Sequence, residues 1–295
     1  MTETGHVAFV GLGAMGGPMA ANLVAAGETV IGFDMEDAAL DRLQASGGSK
    51  TASAAEAASG ARVLMLMVVN DAQARTVLFD DGALAALPGD ATVILMATCL
   101  PGAAKEIGIA VTQTGRGFLD APVSGGVVGA TAGNLTIMAA GADTTFDAVR
   151  TLLEIVGGRV FRVGDRPGQG AVAKAVNQLL CGVHLAAAGE AMTLAEAMGL
   201  DLATMLEIVG GSAAASWMLN DRGSRMISDP DTVTSTVDIF TKDLGIVLSV
   251  GREAKTALPL SAAAHQMFLA ATGRGEGMLD DSQVIGSYRA LSSKR

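Results

Sequence analysis

The sequence has few of the residues that mark secreted, metal-binding or nucleic-acid-binding proteins. Its 295 residues include two cysteines, three histidines and one tryptophan, and the net charge is −10. Two cysteines cannot form a disulfide framework, so the composition fits a reducing compartment such as the cytoplasm. A negative net charge without any run of Lys or Arg excludes nucleic acid as the expected partner.

Long apolar runs are also absent, although half of the residues are hydrophobic. No run reaches the ~18–20 residues that a membrane span needs, and the N-terminus lacks a signal-peptide pattern. We therefore expect no membrane partner and a folded chain of two domains. No spacing matches a metal site, and His184 and His265 lie on apolar helical segments, where packed or surface histidines are expected.

Strands and helices alternate in the first half of the chain, from a predicted strand at Gly5–Val10 to one at Arg159–Val163. Continuous apolar strands with helices between them indicate a parallel sheet covered on both faces. After Pro167 the pattern predicts only helices, the longest from about Gln169 to Met198. The prediction is an α/β domain at 1–165 and an all-α domain at 166–295.

The first predicted strand ends in a glycine-rich turn, Gly11-Leu12-Gly13-Ala14-Met15-Gly16, which opens a helix. The glycines allow a tight turn and close approach of a pyrophosphate, and the helix N-terminus offers N–H groups to that anion. Asp34 ends the second strand, where a carboxylate binds ribose hydroxyls and repels a 2′-phosphate. The turn predicts a Rossmann-type dinucleotide site that prefers NAD to NADP; the alternative is a glycine-rich turn without a ligand.

Two further segments carry polar groups whose role the residues alone leave open. Lys174 and Gln178 lie four residues apart on one face of the long apolar helix. Lys174 is either held there for chemistry or extends its ammonium to water. The turn Ser124–Gly126 follows a predicted strand and is either a carboxylate site or an ordinary turn.

Four motifs, in order along the chain, resemble those of the β-hydroxyacid dehydrogenases, the family of 3-hydroxyisobutyrate dehydrogenase and tartronate semialdehyde reductase. They are the segments Gly11–Leu23, Asp120–Gly126, Gly168–Lys174 and Lys242–Gly245. The resemblance implies a Rossmann-type domain followed by an all-α domain, as in the related 6-phosphogluconate dehydrogenase. It also implies an NAD-dependent oxidoreductase of a small hydroxy-carboxylic acid that forms a homodimer or homotetramer.

The same resemblance implies roles for individual residues. Lys174 would be the general acid/base that takes the substrate hydroxyl proton. The residues expected to contact the substrate are Ser124, Gly125, Gly126, Asn177, Gln178 and Trp217. The residues expected to contact the cofactor are Gly11, Leu12, Gly13, Ala14, Met15, Gly16, Asp34, Val69, Asn70, Thr98, Lys242 and Asp243. Alternatives stay open for three of them: Asn70 as a turn residue, Trp217 as a core residue and Asp243 as a residue that orients Lys242 or caps a helix.

One departure from the family pattern concerns the substrate. Family members usually carry Asn four residues after the catalytic lysine, whereas this chain has Gln178 there and Asn177 one position earlier. The L-threonate dehydrogenase branch shares this glutamine and resembles the segments at Trp217 and Asp280. L-threonate is therefore the predicted substrate, with 3-hydroxyisobutyrate and the tartronate semialdehyde/glycerate pair as alternatives. A dinucleotide-binding protein without catalysis is the alternative of another class, against which the presence of Lys174 argues.

Overall fold

The structure is a computed structural model that describes residues 5–228, 230 and 233–292. The chain divides into two compact units, Met1–Lys174 and Ala175–Arg295. The division falls inside one long helix, Gln169–Ala197, rather than in a linker. The predicted domain boundary after residue 165 stays a prediction.

The first unit is built on one mixed sheet. Its described strands are β1 (His6–Val10), β2 (Val30–Phe33), β3 (Ser49–Lys50), β4 (Ala61–Leu66), β5 (Thr92–Leu95), β6 (Gly117–Asp120), β7 (Val123–Ser124), β8 (Thr136–Ala140) and β9 (Arg159–Gly164). Their order across the sheet is β3-β2-β1-β4-β5-β6-β8-β7, and β9 pairs with β8. The strand order changes direction between β1 and β4, the point where doubly wound sheets bind dinucleotides.

Strands β1 to β6 pair in parallel, as their apolar runs predict. The prediction of a fully parallel sheet is wrong at β8, which runs antiparallel to β6 and β7. Only residues 125–135 connect β7 to β8, and a parallel pair needs a crossover of about a dozen residues or more. The short connection therefore returns the chain in the opposite direction, and β9 then adds to β8 in parallel.

Helices cover both faces of this sheet. They are α1 (Gly16–Ala25), α2 (Asp37–Ala45), α3 (Ala54–Ala58), α4 (Asp71–Arg75), α5 (Ala83–Ala86), α6 (Pro101–Thr112), α7 (Gly126–Thr131) and α8 (Asp143–Val156). Successive side chains of β1 enter different hydrophobic cores. Val7 and Phe9 lie in one core, and Ala8 and Val10 lie in the other. This alternation places a hydrophobic core on each face of the sheet, as predicted.

The second unit is helical. It contains most of α9 (Gln169–Ala197), then α10 (Leu202–Gly210), α11 (Trp217–Ile227), α12 (Val237–Glu253), α13 (Pro259–Gly273), a 3₁₀ turn at Asp281–Val284 and α14 (Ile285–Leu291). Its core includes Leu185, Leu244 and two stacked rings, Phe240 and Phe268, with centroids 5.2 Å apart. The described residues after α9 form no strand beyond one isolated bridge, as the sequence predicts.

A buried ion network joins α11 to the 3₁₀ turn within this unit. The guanidinium of Arg222 contacts the carboxylate of Asp281 at 2.8 Å, and Arg225 contacts Asp280 at 3.2 Å. Burial raises the pKa of Asp281, while the charge of Arg222 opposes that rise. The segment around Asp280, which the sequence associates with the substrate branch, therefore has a structural role in joining the 3₁₀ turn to α11.

Helix α9 is long and apolar enough to cross a membrane by length and composition alone. Its most apolar window has a mean hydropathy of 1.3, and 44% of that window is buried in the protein. Core helices of soluble proteins meet the same criterion, so this property is weak evidence for a membrane span.

Candidate active site

The glycine-rich turn after β1 has the shape that a dinucleotide requires. A side chain at Gly11 would lie 2.5 Å from the carbonyl oxygen of Met67, and the backbone there has a φ of +91°. A side chain at Gly16 would collide with the carbonyl of Gly11, whereas nothing lies within 4 Å of the corresponding position at Gly13. The first and third glycines thus allow the tight turn and close packing, and the second leaves space for a pyrophosphate.

The carboxylate of Asp34 joins the end of β2 to this turn. Oδ2 accepts a hydrogen bond from the Leu12 amide at 2.6 Å, and Oδ1 accepts one from the Glu36 amide at 3.0 Å. Each carboxylate oxygen has further acceptor capacity for a ribose hydroxyl. The turn, the N-terminus of α1 and this carboxylate therefore fit NAD, with Ala14 and Met15 completing the turn before α1 begins.

Three other residues predicted at the cofactor lie beyond the ends of β4 and β5. Asn70 is the N-cap of α4, and its side chain accepts a hydrogen bond from the Gln73 amide at 2.9 Å. Val69 is half exposed, and its amide donates to the Gln73 side chain at 2.9 Å. Thr98 is half-buried and follows β5. The turn role that the sequence leaves open for Asn70 is thus observed, and it does not exclude contact with a cofactor.

The Ser124–Gly126 turn lies at the start of α7. Ser124 pairs with Thr136 of β8, and Gly125 and Gly126 have φ angles of +133° and +61°. Asn22 of α1 donates a hydrogen bond from Nδ2 to the Ala130 carbonyl at 2.8 Å. Helix α7 is thereby tied to the helix that follows the dinucleotide turn.

Asp120 has a role that reasoning from the sequence did not assign. It is buried at the end of β6, and its Oδ2 accepts hydrogen bonds from the amides of Gly168 and Ala171, both at 2.9 Å. These amides belong to the start of α9, so a carboxylate 48 residues away in sequence caps this helix. A side chain at Gly170 would collide with the Asp120 carbonyl oxygen and lie 2.7 Å from that of Met138, which explains the glycine.

Burial raises the pKa of Asp120 from 3.8 to about 6, although the amides of Ala171, Gly168 and Gly170 oppose the rise. A folded-state pKa above the unfolded value means that the folded protein holds a proton that the unfolded chain has lost. The stabilisation from that proton is full below the unfolded value and is lost as the pH rises through about 6.

We therefore expect Asp120→Asn to change how stability depends on pH. Between about pH 4 and pH 7, wild-type protein should lose about 2 kcal/mol of unfolding free energy relative to the variant, because folding raises the pKa from 3.8 to about 6. Urea unfolding of both proteins at each pH measures this difference, and the comparison cancels the other titrating groups. A difference that is the same at every pH would contradict the assignment.

Lys174 lies on α9 one turn after Ala171 and is 6% exposed. Burial of this degree does not favour the alternative in which the ammonium extends into water. Lys174 and the Ser124–Gly126 turn belong to the same compact unit as the dinucleotide turn.

In the second unit, hydrogen bonds and one ion pair connect four of the predicted site residues. Gln178 donates from Nε2 to Oδ2 of Asp243 at 2.5 Å, and its Oε1 accepts from Nδ2 of Asn177 at 2.9 Å. Oδ1 of Asp243 lies 3.0 Å from the ammonium of Lys242. Gln178 and Asp243 are 7% and 2% exposed, so Asp243 does not cap a helix surface; it contacts Lys242 and Gln178.

Trp217 begins α11 and is 54% exposed, which excludes the core alternative. Its ring lies 5.9 Å from the guanidinium carbon of Arg222. The histidines have ordinary surroundings: His265 pairs with the Thr241 carbonyl and His184 is exposed. Among the described residues, no group of three or more His, Cys, Asp or Glu side chains could hold a metal ion.

Comparison with known proteins identifies the family. A family model of the NAD binding domain of 6-phosphogluconate dehydrogenase matches residues 6–164. A second family model, described as "NAD-binding of NADP-dependent 3-hydroxyisobutyrate dehydrogenase", matches residues 168–288. The chain belongs to the 3-hydroxyisobutyrate dehydrogenase family. The predicted family, the two-part fold and the dinucleotide cofactor are thereby confirmed, and the protein is an NAD-dependent hydroxyacid dehydrogenase.

Individual members of the family match over nearly their full length. The L-threonate dehydrogenase of Cupriavidus necator is 42% identical, over 97% of both chains. The 3-hydroxyisobutyrate dehydrogenase of Pseudomonas aeruginosa is 36% identical, over 96% of this chain and 98% of the relative. A crystal structure of 3-hydroxyisobutyrate dehydrogenase from Salmonella typhimurium has a TM-score of 0.91 and 41% identity, over 95% of this chain and 99% of that one.

Proposed function

We propose that the protein oxidises L-threonate with NAD. The observation that carries this proposal is the full-length similarity to the Cupriavidus necator L-threonate dehydrogenase. Gln178 gives independent support, because a buried amide held by hydrogen bonds suits a substrate with several hydroxyl groups. The small carboxylate substrate fits an overall acidic protein only if a local site attracts it.

We assign the reaction to residues of the first unit. NAD, when bound, accepts a hydride from the carbinol carbon. Lys174 takes the proton of the substrate hydroxyl as the hydride leaves, and it returns the proton in the reverse reaction. The hydroxyl of Ser124 and the amides of Gly125 and Gly126 hold the substrate carboxylate, which fixes the carbinol carbon for transfer.

Other residues of the proposed site bind rather than react. Gln178, Asn177 and Trp217 contact the remainder of the acid, and Lys242 contacts the cofactor. On the cofactor, the Gly11–Gly16 turn holds the pyrophosphate and Asp34 binds the adenosine ribose.

The remaining cofactor contacts come from the ends of two strands. Val69, Asn70 and Thr98, beyond β4 and β5, contact the nucleosides of the cofactor. A 2′-phosphate would meet the carboxylate of Asp34, so NAD is preferred to NADP.

A second candidate substrate is 3-hydroxyisobutyrate, because the Salmonella typhimurium structure named for that activity is 41% identical. Steady-state reduction of NAD with a panel of acids separates the candidates. The panel contains L-threonate, 3-hydroxyisobutyrate, glycerate and L-serine, each tested also with NADP. We expect kcat/KM for L-threonate to exceed that for every other acid at least about tenfold, the effect of one good polar contact. A higher kcat/KM for 3-hydroxyisobutyrate than for L-threonate would make 3-hydroxyisobutyrate the substrate.

We also propose that a second copy of the chain covers the exposed face of α9. Val176, Leu180 and Leu194 are at least half exposed there, at 59%, 50% and 65%. Large apolar side chains grouped on one helix face mark interaction surfaces. In a homodimer or homotetramer in the cytoplasm, these side chains would be buried between subunits. Light scattering of purified protein measures the mass of the assembly. A monomer at micromolar concentration would contradict the assembly.

A further inference from the structure

We propose that Asp243 is a positioning residue that fixes the amide of Gln178 and thereby favours hydroxylated acids. The inference rests on the proposed function, because it concerns how Gln178 meets the substrate. Sequence reasoning places Asp243 at the cofactor, whereas the structure places its carboxylate against Gln178. The two residues are 65 positions apart in sequence, on α9 and α12.

The contacts determine which way the amide points. An ionised carboxylate only accepts hydrogen bonds, so the NH₂ group of Gln178 must face Asp243. The side-chain amide of Asn177 donates to the opposite end of Gln178, where the carbonyl oxygen lies 2.9 Å away. Asp243 therefore selects this orientation, and the hydrogen bond from Asn177 is compatible with it. A rotated Gln178 amide would place its oxygen against the carboxylate oxygen of Asp243.

Asp243 is itself held in place. The ammonium of Lys242 lies 3.0 Å from Oδ1, and the carboxylate is 2% exposed. A charge buried this deeply needs a cation and hydrogen-bond donors to offset its lost hydration. Lys242 supplies the cation and Gln178 a donor, so the orientation of the Gln178 amide helps to offset the lost hydration of the buried carboxylate.

The length of the side chain at position 178 matters for the same reason. Asparagine at this position is one methylene shorter, so its amide could not occupy the same place between Asn177 and Asp243. With glutamine held in this orientation, a substrate hydroxyl that meets position 178 meets a carbonyl oxygen, which accepts its proton. A rotated amide would offer a donor instead, so Asp243 controls which polar group the acid encounters.

A double-mutant cycle tests the proposal in the full-length enzyme with NAD. We expect Asp243→Asn to lower kcat/KM for L-threonate about tenfold through KM, because a charge-assisted bond no longer orients the amide. Gln178→Asn should have a similar effect. The double variant should be no worse than about twofold below either single variant, since Asp243 acts through Gln178. NADH titration followed by fluorescence should give the wild-type affinity for all three.

The matched control is Glu253→Gln, which removes an exposed carboxylate from the same helix and should leave all constants unchanged. Effects of the two substitutions that multiply in the double variant would overturn the proposal. Weaker NADH binding by Asp243→Asn, in proportion to the rise in KM for L-threonate, would also overturn it and would assign Asp243 to the cofactor site.

Two further provisions keep the test decisive. Should Asp243→Asn fail to fold, Asp243→Glu keeps the charge and displaces it by one methylene, and an unchanged KM for L-threonate would then overturn the proposal. Should wild-type protein not oxidise L-threonate, the proposed substrate is wrong, and the same cycle with the best acid of the panel tests Asp243 separately.

Discussion

Replacing Lys174 with alanine is expected to lower kcat about a thousandfold, within the range that a general acid/base contributes. The lysine is 6% exposed on α9, so its loss removes the proposed proton acceptor. Water that enters in its place is a far weaker base and is not held in position. The NAD affinity should not change, because the glycine-rich turn and Asp34 are untouched.

Two other substitutions of lysine sharpen this result. Lys174→Arg keeps the positive charge but cannot release a proton near neutral pH, so it should be nearly as inactive as alanine. Lys105→Ala removes an exposed lysine of α6 and should keep full activity. A Lys174→Ala enzyme with more than about a tenth of the wild-type kcat would refute the catalytic role.

The substitution with the next largest expected effect is Gly170→Ala. The added methyl group would collide with the carbonyl oxygen of Asp120 and lie 2.7 Å from that of Met138. Both contacts are backbone atoms, one at the end of β6 and one in the middle of β8, so the first turn of α9 must move away from the sheet. Lys174 lies one turn further along the same face. We expect kcat to fall about a hundredfold and stability to fall by about 1–3 kcal/mol.

The control for Gly170→Ala is Gly102→Ala in the first turn of α6. No atom lies within 4 Å of a methyl group added at Gly102. Alanine is a better helix former than glycine, so this variant should be equally stable or slightly more stable. Kinetics and thermal melting of both variants separate the steric effect from a general effect of alanine. Wild-type kcat in the Gly170→Ala protein would show that the start of α9 does not position Lys174.

The order of strands and helices could be predicted because each depends on residues that are close together in the sequence. The strands β1 and β9 and the long helix α9 all appear close to their predicted positions. The reversed strand β8 could not be predicted, because its direction depends on which strands it meets and not on its own residues. Helices α5 and α7 could not be predicted, because four and six residues carry too little periodicity to indicate a helix.

The candidate site shows the same division between local and distant contacts. The glycine turn was predictable, since spacing and the flanking strand and helix define it within one stretch. The cap from Asp120 to α9 joins residues 48 positions apart, and the bond from Gln178 to Asp243 joins residues 65 apart. Neither pairing leaves a pattern in the sequence, because each depends on how separate elements pack.

Hydride transfer from L-threonate to NAD is the central claim, and one isotope measurement tests it directly. The enzyme is incubated with NAD and L-threonate that carries deuterium on its carbon atoms, and the reduced cofactor is analysed by mass spectrometry. We predict that reduced cofactor forms and carries one deuterium on the nicotinamide ring, because the hydride comes from the carbinol carbon. Reduced cofactor without deuterium, or no reduction at all, would contradict the account.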